Sequence, residues 1–335
     1  MKGTIVGLCA FAVVTGAFGF RFQLAQNALT PVKIQSDLVR GAYHIHTDAS
    51  HDGKQTRAQV IAAAQALNLD FIIVTDHNLE QWETKQEDSL WVVRGPEMST
   101  DDGHTVRLQA DEGFFDIVAH PGRPRRPRRE PLTTEVGLEL TNPTVALEEL
   151  AYQRPFTLLG ALIAYLAEPH TGLLALLNHD KRALELLGFN GQRSLWCGVD
   201  AHGWIPARQN LAVWITSLGL KRSELNEESL LNALKSGPAG CYSMLLSDNQ
   251  PIEVIEEDSG AWRFQIRKKL AYPGSFRLYR DGALIATSAA ARFDYRPKLE
   301  GQYHIEYWVS PKGLPFIDFP RLAAFRNLSS NATKE

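Results

Sequence analysis

Short apolar runs alternate with helical segments between residues 35 and 240. The helical segments include residues 57–68, which place their apolar side chains on one face, and residues 223–237, which end at Gly237. The runs of strand length are residues 42–46, 70–77, 90–97, 104–110, 115–120, 136–142, 195–202 and 211–217. Repetition of a strand and then a helix indicates parallel strands with right-handed crossovers. Seven or eight such strands predict a closed α/β barrel of the TIM-like kind.

Residues 144–190 interrupt this repetition with three or four helical segments in a row. Their apolar section is broken at Glu168, Pro169 and His170, so it is too short to span a bilayer. The segment can form a cap over the barrel mouth, a face that leans on a membrane, or a helical insertion packed on the barrel flank. We take the insertion as the expectation.

After residue 240 the chain changes to short alternating strands, and Asp281-Gly282 predicts a hairpin turn. Residues 244–320 are therefore predicted to form a small all-β sandwich. The polar residues near the end of the chain predict a solvated tail over residues 321–335.

The first residues have a different character. Residues 3–20 carry no charge and lie between Lys2 and Arg21, which predicts an export signal or one transmembrane anchor within residues 1–30. Ala17-Phe18-Gly19 resembles a cleavage site and favours removal, whereas the uncharged length favours an anchor. Both readings place the protein outside the cytoplasm, as a periplasmic or other exported protein that is either secreted or attached to the membrane through residues 3–20.

The composition is that of a globular protein, with 44% hydrophobic and 22% charged residues. A net charge of −3 argues against a general nucleic-acid-coating or membrane-surface role, although a local patch can still be basic, and no stable binding to nucleic acid is expected. Beyond the leader only Cys197 and Cys241 remain, which is too few for a disulfide scaffold. One bridge can form after export, but we expect two buried thiols.

Nearly every predicted barrel strand ends in a residue that can bind a metal. These residues are His44, His46, Asp76, His77, Glu97, His120, Asp200 and His202, and His104 begins a further strand. Residues two apart on a strand point to the same side, so each of the two closely spaced pairs can aim at one point. Active sites of α/β barrels lie at the carboxyl ends of the strands. Imidazole and carboxylate ligands without cysteine suit Zn²⁺, Mn²⁺ or Fe²⁺, and their number predicts two or three ions per chain.

The segments HIHTDASHDG, VTDHN, GPEMSTDDGH, AHP and GVDAHG resemble, in order, the motifs of the PHP (polymerase and histidinol phosphatase) family. The resemblance covers about residues 40–240. It implies a distorted (β/α)7 barrel, a trinuclear metal centre and metal-dependent hydrolysis of a phosphoester, with a small phosphorylated substrate, a nucleotide or a nucleic-acid end as the partner. The ligands that it implies are His44, His46, Asp52, His77, Glu97, His104, His120, Asp200 and His202.

One departure from the family pattern leaves a choice in the first motif. This chain has Ser50-His51-Asp52-Gly53, so both His51 and Asp52 can be ligands. We favour Asp52, because Gly53 preserves the Asp-Gly pair of the motif.

Three residues are predicted to assist catalysis. Asp76 is expected to orient a neighbouring histidine, and His202 is expected to serve the reaction as well as bind metal. Arg123 begins an arginine-rich loop directly after His120 and is expected to hold a substrate phosphate, a role that Arg208 can share.

Two other functions compete with the phosphoesterase hypothesis. An amidohydrolase-type metal hydrolase also opens with His-x-His on a barrel strand, although its last ligand is usually a single Asp. A surface protein that binds metal or another ligand through the β-sandwich belongs to a different class. Activity on phosphoesters, compared with amides and esters, separates the three.

Overall fold

The structure is a computed structural model that describes residues 37–77, 83–110, 113–124, 127, 137–187, 194–267, 270–311 and 320–329. The leader predicted in residues 1–30 lies outside this part of the chain. Among the described helices, none is long and apolar enough to cross a membrane.

The elements follow one another in three stretches. The first contains β1 (Leu38–Ile45), α1 (Arg57–Ala66), β2 (Phe71–Val74), β3 (Lys85–Glu87), β4 (Leu90–Arg94), β5 (Glu97–Thr100), β6 (Gly103–Ala110) and β7 (Gly113–Ala119). The second contains β8 (Gly137–Thr141), α2 (Pro143–Gln153), α3 (Pro155–Ala167), α4 (Pro169–Leu173), α5 (Lys181–Leu187), β9 (Leu195–Ala201), α6 (Ala207–Leu211), β10 (Ile215–Lys221), α7 (Glu227–Ser236) and β11 (Gly240–Tyr242), with 3₁₀ turns at Leu174–Leu176 and Arg222–Glu224. The third contains β12 (Ile252–Glu256), β13 (Trp262–Ile266), β14 (Gly274–Arg280), β15 (Ala283–Ser288), β16 (Arg292–Tyr295), β17 (Gln302–Val309) and β18 (Arg321–Ser329).

The predicted distorted (β/α)7 TIM-like barrel is wrong. Strands make up 40% of the described residues and helices 26%, and fifteen strands join one mixed sheet. Strands β5, β6 and β7 pair antiparallel, and β5 turns into β6 at Gly103, whose φ is 121°. No helix separates β3 from β7 in the described part of residues 85–119. The error arose because a run of apolar residues looks alike in a parallel strand and in a hairpin.

The strand β1 is the branching point of the large sheet. Along one edge, β1 pairs in parallel with β2. Along the other edge, the first half of β1 pairs antiparallel with β10 and its second half pairs in parallel with β9. Hydrogen bonds continue from β9 through β8, β7 and β6 to β5, and from β2 to β4. The two branches meet where His77 forms a bridge with Glu97. Strands β1, β2 and β4 to β9 thus form a closed circuit, called the strand ring below.

Four helices, α2 to α5, connect β8 to β9, in the region where the sequence predicted a helical insertion. They are not spread around the ring as single crossovers. Apolar side chains of α2, α3 and α4 form a small cluster of their own, which includes Leu150, Ala161 and Tyr165, whereas those of α5 join the main core.

The chain after residue 244 is built of strands but is not a separate body. Strands β12, β13 and β16 form a second sheet, and Phe264 and Phe293 of that sheet lie against Phe276 of the large sheet. The large sheet runs without a break from β17 through β18, β11 and β10 to β1, and one hydrophobic cluster spans the same strands. The boundary predicted near residue 244 therefore does not interrupt the sheet or the core.

The predicted tail over residues 321–335 is wrong for its first nine residues. They form β18, which lies between β17 and β11. Leu322 and Phe325 are fully buried there. Burial of these apolar residues, which come just before the polar end of the chain, stabilises the strand. Residues 330–335 lie outside the described chain.

A disulfide joins Cys197 of β9 to Cys241 of β11, so the expectation of two buried thiols is wrong. The two Cα atoms are 6.2 Å apart, within the range that a disulfide spans. The residues are 44 positions apart in the sequence, and only the order of strands in the sheet brings them together.

Candidate metal centre

The ligand residues lie at one end of the strand ring because each of those on a ring strand is at, or next to, an end of that strand. His44 and His46 lie at the end of β1, His77 follows β2, and Glu97 begins β5. His104 lies near the start of β6, His120 follows β7, and Asp200 and His202 lie at the end of β9. Asp52 comes from the loop after β1, and with it all nine predicted ligands converge here.

His44 points into the ring because β1 is irregular at this residue. Pairing with β2 passes from Tyr43 to Ile45, and His44 adopts a φ of 72°. The expected reason for the convergence of His44 and His46, a regular alternation of side chains, is therefore wrong. Asp200 and His120 also have positive φ values, 45° and 32°. Such backbone conformations cost about 1–3 kcal/mol per residue and persist where surrounding contacts impose them.

Glu97 is buried at the centre of the cluster. Its Oε1 lies 2.8 Å from His104 Nδ1 and 3.0 Å from His120 Nε2. Its Oε2 is close to three further imidazole nitrogens, at 3.2 Å from His46 Nε2, 3.4 Å from His44 Nε2 and 3.5 Å from His77 Nε2. One carboxylate thus contacts five histidines, which is the arrangement expected of a bridging metal ligand.

Asp200 provides a second carboxylate from β9, the strand next to β1. Its Oδ1 lies 3.3 Å from His44 Nε2 and 3.6 Å from His46 Nε2. The backbone carbonyl of Asp200 lies 2.9 Å from His202 Nδ1, which turns the other nitrogen of that ring toward Asp52.

Asp52 and His51, the two candidates that the first motif left open, both belong to groups that could hold a metal, and Asp52 is the one that contacts two histidines of the cluster. Asp52 Oδ2 lies 3.0 Å from His77 Nε2 and 3.1 Å from His202 Nε2. Ser50 Oγ donates to Asp52 Oδ1 at 2.7 Å. Burial opposes ionisation of Asp52, but hydrogen bonds from His202, His77 and Ser50 hold its pKa well below the ordinary range. His51 is exposed at the edge of the site, with its ring 5.1 Å from that of His77.

Several buried atoms of the cluster have no hydrogen-bond partner in the protein. They are His44 Nε2, His46 Nδ1 and Nε2, His77 Nδ1 and Asp200 Oδ2. Buried polar atoms are almost always paired, so a concentration of unpaired atoms in one place favours a bound ion or ordered water there. Groups of three ligand atoms within 4.8 Å of one another are His44, Glu97 and His120; His44, His46 and Asp200; His46, His77 and Glu97; His46, Asp52 and His202; and His51, Asp52 and His77. These groups, of which the first two are fully buried and the one with His51 is partly exposed, could hold metal ions.

The charges of the cluster are balanced by protons when no ion is bound. Burial opposes protonation of His46, but the nearby carboxylates of Asp200 and Glu97 outweigh it and raise the pKa of His46 to about 9. The pKa values of His44 and His120 are raised in the same way, against their burial. Burial opposes ionisation of Glu97 and Asp200, but the histidines hold both pKa values well below the ordinary range. A cation entering the site therefore replaces protons.

Glu139 is part of the site and was missed by the sequence analysis. It is fully buried on β8, and its Oε1 lies 2.8 Å from His44 Nδ1. Its Oε2 accepts from the backbone N–H of His120 at 2.5 Å and from Asn142 Nδ2 at 3.0 Å. A Cβ atom at Gly198 would collide with Glu139 Oε1, so glycine is required at that position. The available signal was a single carboxylate inside the otherwise uncharged strand Gly137–Thr141.

The three residues predicted to assist catalysis have different surroundings. Asp76 accepts from the backbone N–H and the hydroxyl of Thr47 at 2.6 and 2.7 Å, and so anchors the loop after β1. His202 contacts Asp52, as described above. Arg123 donates from Nη2 to Glu148 Oε1 of α2 at 3.0 Å.

Arg123 supplies positive charge near the cluster, whereas no contact joins Arg208 to a ligand among the described residues. Burial opposes protonation of Arg123, but the hydrogen bond and charge of Glu148, followed by the charges of Asp200 and Glu97, raise its pKa. Arg123 therefore lies within the electrostatic field of the cluster. Arg208 lies on α6, where its Nε and Nη2 are buried without a hydrogen-bond partner and burial lowers its pKa.

Comparison with known proteins completes the description of the site: no protein-family model, no curated protein and no solved structure matches this chain.

Proposed function

We propose that the protein is a metal-dependent phosphoesterase that holds two or three divalent ions at the end of the strand ring. The observation that carries the proposal is the set of overlapping three-ligand groups, in which Glu97 and His46 each belong to more than one group. Shared ligands hold ions close together, as two-metal phosphoesterases require. The resemblance to the PHP family supports the same reaction.

The donor set suits Zn²⁺, Mn²⁺ or Fe²⁺, since every contributing atom is an imidazole nitrogen or a carboxylate oxygen. When bound, such ions acidify water and neutralise the negative charge of a phosphoryl group. The residues that would hold them are His44, His46, Asp52, His77, Glu97, His104, His120, Asp200 and His202.

The remaining residues orient these ligands and admit the substrate. Glu139 fixes the tautomer of His44 by contacting its Nδ1, and it holds the backbone of His120. Asp52 and His202 are the more exposed side of the cluster, with side chains 27% and 15% exposed. A substrate phosphate entering on this side would meet the positive charge of Arg208 or Arg123.

The disulfide between Cys197 and Cys241 supports an exported protein, because disulfides persist mainly in oxidising compartments. A phosphoester outside the cytoplasm is accordingly the proposed substrate class. A nucleotide or a nucleic-acid end falls within that class, whereas stable binding of nucleic acid is not part of the proposal.

The experiment combines metal analysis with a substrate panel. Phosphomonoesters, phosphodiesters, amides and carboxylic esters are supplied with and without added Mn²⁺. We expect hydrolysis of phosphoesters alone. His77→Ala and Asp200→Ala should lose bound ions, and their phosphoester turnover should fall by more than the about 10–100-fold that removal of a residue behind a metal ligand costs. His170→Ala, which changes an exposed histidine of α4, is the control and should retain both its bound ions and its turnover. Amide hydrolysis without phosphoester hydrolysis would instead support an amidohydrolase. Bound metal without any turnover would support a binding protein.

A further inference from the structure

The helix α3 is apolar on all of its sides. Its thirteen residues, PFTLLGALIAYLA, contain no charged side chain. One side packs on the protein through Thr157, Gly160, Ala161 and Tyr165. The other side is exposed and carries Phe156, Leu159, Leu162 and Ile163. A surface helix normally presents polar residues to water, so α3 departs from the pattern of a solvated helix.

Exposed apolar side chains are concentrated around this helix. Of the eleven large apolar side chains found exposed in the described chain, six lie within residues 147–163. Phe156 is 81% exposed and Ile163 is 54% exposed. Scattered exposed apolar residues are normal, but a contiguous group of them marks an interaction surface.

This surface lies beside the candidate metal centre. Asn142, which caps α2, donates to Glu139, and Thr144 Oγ1 donates to the backbone carbonyl of Asp200 at 3.3 Å. Tyr165 of α3 donates to Gln209 of α6 at 2.7 Å. The hairpin of α2 and α3 is thus attached to the rim of the strand ring, directly next to the ligands.

A second apolar group continues this rim. Trp204 follows the ligand His202 by two residues and is 68% exposed, and Lys54 Nζ lies 3.1 Å above its ring. The next residue, Ile205, packs against the small cluster beneath α2 and α3. An exposed tryptophan with a lysine beside it is typical of the interface between a membrane and water.

The sequence contains a second element that fits a membrane. Residues 3–20 are uncharged and lie between Lys2 and Arg21. The 16 residues from Arg21 to Ser36 span at most about 55 Å when extended. The eight residues of β1 are about 26 Å long. An anchor at residues 3–20 therefore leaves enough chain for the ligand end of the strand ring to reach the same bilayer.

We propose that Phe156, Leu159, Leu162, Ile163 and Trp204, called the apolar rim below, lie in the surface of a lipid bilayer. The substrate class is then a phosphoester carried by a membrane lipid, presented to the ligand cluster at the bilayer surface. The substrate part rests on the proposed phosphoesterase function, whereas the membrane contact does not. One interfacial helix binds weakly, and tethering by residues 3–20 raises its effective concentration at the membrane.

The contact is tested on the full chain in vesicles of phosphatidylcholine and phosphatidylglycerol. In a Cys9→Ser background the two remaining cysteines are bonded to each other, so a cysteine introduced by Ile163→Cys takes a fluorescent NBD label alone. Leu284→Cys, at a 52% exposed position of β15, provides the matched control. We expect doxyl-labelled lipid to quench the label at 163 and aqueous iodide to quench it at least about threefold less than at 284. Adding Phe156→Ser and Leu159→Ser should remove this difference.

Two results would overturn the contact. Equal iodide quenching at 163 and 284 would mean that the rim lies in water. Protection from iodide without quenching by lipid would mean that a protein, such as a second copy of the chain, covers the rim.

The substrate is tested by comparing lipid and soluble esters. Phosphatidic acid and phosphatidylglycerol in vesicles are compared with soluble nitrophenyl phosphate mono- and diesters. We expect Phe156→Ser with Leu159→Ser to lower the ratio of lipid to soluble turnover at least about tenfold. An unchanged ratio would overturn the lipid substrate while leaving the phosphoesterase function in place, and a wild-type protein inactive on every ester would instead overturn that function.

Discussion

Two buried clusters in this chain combine histidine with glutamate, and they differ in how many imidazoles share the carboxylate oxygens. In the C-terminal cluster of Glu306, His179, His304 and Trp308, Glu306 Oε1 lies 2.9 Å from His179 Nδ1. Glu306 Oε2 accepts from the indole N–H of Trp308 at 2.6 Å. In the candidate metal centre, by contrast, both oxygens of Glu97 are shared among several imidazoles.

The comparison shows that a high density of histidines does not by itself make a metal site. In the described chain, no group of three ligand atoms within 4.8 Å of one another includes Glu306. An indole that can only donate occupies one oxygen of Glu306, and the ring of His304 stacks on Tyr279 with 4.6 Å between centroids. We therefore interpret the C-terminal cluster as structural, joining the helical connection at His179 to β17.

The largest predicted effect is that of Glu97→Gln. The substitution keeps the shape of the side chain but removes the charge that several ligand groups share, so we expect loss of at least one ion and more than about a thousandfold loss of phosphoester turnover. Metal analysis by mass spectrometry and steady-state kinetics measure both. Retention of all ions would contradict the assignment of Glu97 as a bridging ligand.

The matching substitution, Glu306→Gln, should act on stability instead. An amide nitrogen cannot accept a hydrogen bond, so the substitution leaves a buried partner of Glu306, His179 or Trp308, without its acceptor, which costs about 1–3 kcal/mol. Metal content should not change. Burial opposes ionisation of Glu306, but the charge and hydrogen bond of His179 lower its pKa. Because the pKa of Glu306 is lowered in the folded state, its ionisation adds to the free energy of unfolding at pH values above about 4.3, the ordinary pKa of a glutamate. This contribution is lost as the pH falls below about 4.3.

Chemical unfolding between pH 6 and pH 3 measures this contribution, because the loss begins only near the ordinary glutamate pKa of about 4.3. The wild-type protein should lose free energy of unfolding toward acid more steeply than Glu306→Gln. Loss of bound metal in Glu306→Gln would show that the two clusters are not independent.

Glu139→Gln should have an intermediate effect on the metal centre alone. The amide can still contact His44 and the backbone of His120, but it lacks the charge that raises the basicity of the imidazole, so metal affinity should fall about 10–100-fold. Titration of metal-free protein with Zn²⁺ checks the value. An affinity equal to that of the wild type would remove Glu139 from the site.

The smallest effect concerns pH. Because His46 has a pKa of about 9 without an ion, an incoming ion must displace its proton at neutral pH. Apparent affinity should fall about tenfold per pH unit for each proton displaced as the solution is acidified. Calorimetric titrations at pH 6, 7 and 8 in buffers of different ionisation enthalpy measure the number of protons released. Release of no protons would contradict the charge balance described for the cluster.

The sequence was more informative about the site than about the fold. Residues such as His77 and Asp200 stood at the ends of apolar runs, and β2 and β9 pair in parallel with β1, so the carboxyl ends of these three strands meet. The antiparallel pairing of β5 to β7, the bulge at His44 and the bond between Cys197 and Cys241 depend on contacts between distant residues. The sequence did not indicate a role for Glu139, because its partners, His44 and Gly198, come from other strands.

The central claim is that the end of the strand ring is a polynuclear metal centre, and the number of ions in the purified protein tests it most directly. Inductively coupled plasma mass spectrometry on protein prepared without chelator should give two or three equivalents of Zn, Mn or Fe per chain, and Glu97→Gln should hold fewer while Glu306→Gln holds the same number. A chain that carries one ion or none, and takes up no more when supplied with each metal in turn, would contradict the claim.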